Sequence, residues 1–96
     1  MDNNFKAYEE AAEILKALAH PVRLCIVRGL MQKRECNVSY MQECLDLPQS
    51  TVSQHLQKLR GMGIVVAERS GLEVNYRIAN EKIKRLITVL LEGETS

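Results

Sequence analysis

LPQSTVSQHLQKLRGMGIVVAERSGLEVNYRI, residues 47–78, carries two different periodicities back to back. From Gln49 to Gly61, Val52, Leu56 and Leu59 recur at helical spacing. With about 100° of rotation per residue they share one sector roughly 100° wide with His55, so that sector faces a core. Pro48 pushes Leu47 out of the helical region and so marks the start of this helix. Gly61 and Gly63 close it. Beyond them the period falls to two. Ile64 to Arg69 and Glu73 to Ile78 read as strands joined by Ser70-Gly71-Leu72. Val74, Tyr76 and Ile78 alternate with Glu73, Asn75 and Arg77, which predicts one buried and one wet face.

Upstream, a short helix is expected from Asn37 or Val38 to about Asp46, capped by Ser39 or Asn37 and turning Met41 and Leu45 inward. The two to four residues before the next helix are helix-turn-helix spacing. Further back, Ala7, Ala11, Ile14, Leu15 and Leu18 stripe a first helix from about Asn4 to Leu18. Pro21 then breaks the chain and suits the first turn of a second helix, striped by Val22, Ile26, Val27 and Leu30. Downstream, Ile83, Leu86, Ile87, Leu90 and Leu91 fill the apolar template of a last helix from about Asn80 to Glu92. The order ααααββα, with a hairpin directly after the turn unit, predicts a mainly α winged helix-turn-helix. Residues 1–96 are expected to form one domain, with the turn unit at about 38–61 and the wing at about 64–78. The first and last helices (about 4–18 and 80–92) carry more apolar surface than a small domain covers alone. They are expected to form a two-fold homodimer interface.

Bulk composition agrees with a globular chain: 96 residues, 46% hydrophobic and 26% charged. No apolar run reaches the roughly 18 residues of a membrane span, and the polar start Met1-Asp2-Asn3-Asn4 lacks a signal-peptide pattern, so a cytoplasmic protein is expected. Net charge is only +1, yet residues 1–20 balance at −2 and residues 48–77 at +2. The positive field therefore lies in the half that holds the turn unit and wing. Three Tyr, one Phe and no Trp disfavour a stacking platform for single strands. No nucleophile–base set, phosphate loop or carboxylate pair suggests an enzyme.

The helix of residues 49–61 points Ser50, Gln54 and Gln57 directly away from its apolar sector. Ser53 lies on one flank, Thr51 and Lys58 on the other. Amides, hydroxyls and a cation without a carboxylate suit duplex DNA, where a glutamine can pair with adenine in the major groove. Arg69, beside the Ser70-Gly71 tip, is placed to reach a phosphate or minor groove.

LKALAHPVRLCIV, residues 15–27, together with residues 47–78, resembles the ArsR/SmtB family of small bacterial repressors. QSTVSQHLQKL and the hairpin with Gly71 and Tyr76 carry the most specific part of the resemblance. It implies a homodimeric repressor on promoter inverted repeats, with DNA contacts from Gln49, Ser50, Ser53 and Gln54. Helical phasing selects the last three independently, but not Gln49. The resemblance also implies two metal-site types. Here a CxC-like pair is replaced by Asn37 and Ser39, and a last-helix set by Asn80, Lys82, Gly93 and Ser96. Neither offers the thiolate or imidazole that zinc and softer metals want, so no metal site and no cofactor are expected.

Cys25, Cys36 and Cys44 form no CxxC pair. Cys25 and Cys44 are expected at packing positions as small hydrophobes. Cys36, next to Lys33 and Arg34, is the candidate reactive thiol. A thiol- or redox-responsive repressor using these cysteines is thus an alternative, as is a winged-helix module that binds protein instead of DNA. His20 is expected to cap or pack in the turn before Pro21, and His55 to be a partly buried, satisfied residue.

Overall fold

Turn and cap chemistry sets most of the element boundaries in the computed structural model, which describes residues 4–91. Helix α1 (Phe5–Leu18) and helix α2 (Pro21–Lys33) are separated by His20, whose Nδ1 accepts a hydrogen bond from the Val22 N–H at 3.1 Å. Pro21 occupies the first turn of α2, where no intrahelical donor is needed. Helix α3 (Val38–Leu45) is capped by Asn37, whose Oδ1 accepts from the Tyr40 N–H at 2.8 Å. Asp46 then ends α3 in the left-handed region, with φ 56°. Pro48 follows as the extended N-cap of helix α4 (Gln49–Gly61).

Gly63 takes φ 73° and donates to Arg60 O, while Ile64 N–H reaches back to Leu59 O at 2.9 Å. This paired closure is a Schellman motif, and it needs a residue at ease with positive φ. The wing follows as strands β2 (Val65–Ser70) and β3 (Glu73–Ile78), joined by Gly71-Leu72. Gly71 has φ 65°, which the first position of a tight hairpin loop demands. Helix α5 (Glu81–Leu91) closes the described chain, capped where Asn80 Oδ1 accepts from the Ile83 N–H. Glu92, the expected end of that helix, lies outside the described residues.

The expected order lacked one element. Strand β1 (Cys36–Asn37) pairs antiparallel with β3 in the register Cys36↔Tyr76 and Asn37↔Asn75, giving a three-stranded sheet in the order β1-β3-β2. Two residues are too few to show an alternating pattern, so only the pairing reveals the strand.

A core of side chains from α2, α4, the wing and α5 holds these elements together. Val27, Val52, Leu56, Leu59, Ile64 and Ile87 are fully buried, and Tyr76 and Ile78 turn the inner wing face onto them. The terminal helices contribute less than half of their apolar stripes. Leu18 of α1 and Ile83 and Ile87 of α5 are buried, whereas Phe5, Tyr8 and Leu15 of α1 and Val89, Leu90 and Leu91 of α5 remain exposed.

Candidate nucleic-acid interface

Helix α4 is phased by its buried stripe. With Val52, Leu56 and Leu59 locked in the core, Gln49, Ser50, Gln54, Gln57 and Lys58 are exposed on the opposite side. Thr51 and Ser53 are half-buried at the flanks. This is the disposition expected from the 3.6-residue period, and it leaves amide, hydroxyl and ammonium groups facing solvent. Arg69 is exposed on β2 one residue before the loop, and Leu72 at the tip is 99% exposed. Among the described residues neither Lys58 nor Arg69 forms an ion pair; the pairs Lys16–Glu13 and Lys84–Glu81 lie on α1 and α5. Both cations are therefore open to an external anion.

Tertiary packing adds a residue that no spacing rule identified. Arg23, in the first turn of α2, donates from Nε to His55 Nδ1 at 3.1 Å and from its guanidinium to Ala17 O at 3.2 Å. It lines a shallow depression with Gln54, His55, Gln57 and Lys58, so a second cation borders the polar face of α4. Its position 32 residues before His55 left no sequence signal; only the α2–α4 contact brings them together.

The same contact explains His55. Its ring lies 4.5 Å from that of His20, centroid to centroid. Burial, then the neighbouring His20, then Arg23 hold its pKa below the ordinary histidine value of 6.5. A neutral ring with Nδ1 free to accept is what the Arg23 donor requires. His20 and His55 thus cap, pack and brace the helix.

The cysteines depart from expectation. Cys25 and Cys44 are exposed, not packed. Cys36 is half-buried, and its thiol pKa is raised first by burial and then by Cys44, with Lys33 pulling the other way. Lys33, beside it in sequence, therefore does not bring the Cys36 thiol below its ordinary pKa.

A family profile for a helix-turn-helix domain matches residues 18–67, which span α2, the turn unit and the start of the wing. The transcriptional repressor PagR of Bacillus anthracis is 45% identical over 90% of this chain and 86% of its own length. The repressor SmtB of Mycobacterium tuberculosis is 43% identical over 82% of this chain, which spans 58% of SmtB. The chain belongs to the ArsR/SmtB family of winged helix-turn-helix transcriptional repressors. Its ArsR/SmtB fold superimposes on the PagR crystal structure with a TM-score of 0.84 over 91% of this chain and 99% of that one. A homodimeric winged helix-turn-helix DNA-binding domain from Mycobacterium bovis, solved in solution, gives a TM-score of 0.83 at 33% identity over 94% of this chain and 82% of that one. Among the described residues no helix is long and apolar enough to cross a membrane.

Proposed function

We propose that this ArsR/SmtB protein is a cytoplasmic, homodimeric transcriptional repressor that binds an inverted-repeat operator in duplex promoter DNA as a single winged-helix unit. The observation that carries the reading is the outward face of α4, where Ser50, Gln54 and Gln57 are exposed directly opposite a fully buried stripe. In the major groove such a helix presents two amides and a hydroxyl to base edges. Gln49, Thr51 and Ser53 border that face. Lys58, Arg23 and Arg69 supply the cations for phosphates, which fix register and dominate affinity.

The exposed apolar residues of α1 and α5 support the dimer. Phe5 at 68% and Leu90 at 59% exposure are large groups for a lone chain to leave in water. A two-fold pairing through these helices places two copies of α4 on successive major grooves. At the positions where the family resemblance implies metal ligands, Asn37, Ser39, Asn80 and Lys82 offer neither thiolate nor imidazole. Gly93 and Ser96 lie outside the described residues. Release from DNA is therefore assigned to something other than a metal at those positions.

A nuclease footprint on promoter fragments tests the reading directly. Two protected half-sites with centres about 10–10.5 base pairs, or a multiple of that, apart are expected. Protection of a single half-site, or none at any salt concentration, overturns it.

A further inference from the structure

All three cysteines of the chain line one cavity, although they come from three elements: Cys25 from α2, Cys36 from β1 and Cys44 from α3. The cavity has a volume of about 340 Å³, within the range of small-molecule sites. Ile26, Leu30 and Met41, all buried in the core, form its apolar floor. Gly29 opens it from the α2 side. A Cβ built at Gly29 would meet nothing within 4 Å, so packing does not demand glycine there. A glycine inside a helix is less favourable than alanine by about 1 kcal/mol, and what its missing side chain leaves is space. At the mouth, Lys33 Nζ lies 4.4 Å from the centroid of the Tyr40 ring.

The arrangement of the thiols narrows the chemistry. Among the described residues no three His, Cys, Asp or Glu side chains are placed to hold a metal ion. Cys36 precedes α3 and Cys44 stands in its last turn, and all three cysteines are free thiols. Single thiols facing an apolar space suit addition to a neutral carbon electrophile. Cys44 is the exposed thiol on α3, whereas burial makes Cys36 a poorer nucleophile.

We propose that this cavity is a covalent site for a small, neutral α,β-unsaturated carbonyl compound, which adds to Cys44 and weakens DNA binding by wedging α3 away from α2. The Cys44 thiol loses its proton to water, and its sulfur forms a bond to the β-carbon of the ligand. The π pair of the C=C bond moves onto the carbonyl oxygen as an enolate, whose charge is met by Lys33. The α-carbon then takes a proton back from water. In sum S–H adds across C=C; nothing leaves, and no oxidant is consumed. Because α3 packs on α4, an adduct under α3 shifts the recognition helix. Only this last step rests on the DNA-binding reading.

The test treats the full chain with 2-cyclohexen-1-one and follows adduct formation by intact mass and peptide mapping. A negatively charged methanethiosulfonate serves as the control reagent. Wild type is expected to form the Cys44 adduct at least tenfold faster than Gly29→Leu, which fills the cavity, with Gly29→Ala in between. The charged reagent should label all three proteins at equal rates. Equal enone rates in the three proteins, or an adduct on Cys25 or Cys36 alone, overturns the site. Fully modified wild type should bind operator at least tenfold more weakly, while enone-treated Cys44→Ser keeps its affinity; unchanged affinity of the adduct overturns the wedge. Failure of unmodified protein to bind any operator overturns the function proposed above and leaves the rate comparison standing.

Discussion

Gln54 offers a donor and an acceptor to a single base edge from an exposed position on α4. Gln54→Ala is expected to weaken operator binding by about 1–3 kcal/mol and to relax base preference at one position per half-site, as read by titration against single-base operator variants. Lys58→Ala and Arg23→Ala should each weaken binding uniformly across sequences and lower the salt slope by about 1. An unaltered slope removes that residue from the interface. His55 gives a pH prediction. Its folded pKa lies below 6.5, so the unfolded chain binds the extra proton first as pH falls. Its contribution to stability is complete above about pH 6.5 and is lost as pH falls through the folded value. Urea unfolding between pH 7.5 and 5.5 should show a larger loss for wild type than for His55→Gln. The outward residues of α4 were legible because they depend only on helix phase. Arg23 was not, because a side chain joining two helices leaves no periodic trace. The cysteines were not legible: Cys25 and Cys44 are exposed where packing is expected, and burial outweighs the neighbouring cation at Cys36.

Element boundaries followed from proline, glycine and asparagine, and these were legible wherever the chemistry is local. Asn37 caps α3 as one of the two expected candidates, and its side-chain amide also donates to the Glu73 carboxylate on β3. The strand it belongs to was invisible, since a two-residue strand depends on a partner forty residues away. Between α2 and β1 the chain stores strain: Arg34 ends α2 with φ 73° and ψ −47°, a conformation costly for a residue with a Cβ. Arg34→Gly is expected to stabilise the fold by about 1 kcal/mol, seen as a higher urea midpoint with unchanged slope. A lower midpoint would mean that the arginine side chain contributes more than its backbone costs.

For the whole molecule, the deciding quantity is apolar surface left uncovered. The five-residue stripe of α5 was legible, and so was its excess over what one copy buries. The pairing of individual side chains across that interface was not, because contacts between copies have no register in one sequence. Leu90 is exposed, so Leu90→Glu should leave the monomer folded while placing a charge in the proposed interface. A loss of roughly 3 kcal/mol corresponds to a dimer about a hundredfold weaker. Sedimentation should then report monomers at concentrations where wild type is dimeric, with operator affinity falling in parallel. A Leu90→Glu protein that remains dimeric places the interface elsewhere.

The three tyrosines are distributed in a way that makes the molecule its own reporter. Tyr8 is on the exposed face of α1, Tyr40 lies under Lys33 at the mouth of the thiol cavity, and Tyr76 is buried in the central strand of the wing sheet. With three tyrosines in the chain, biosynthetic fluorotyrosine labelling gives three fluorine resonances, one for each working part. Self-association, cavity occupancy and operator engagement can then be followed separately in one sample by fluorine NMR.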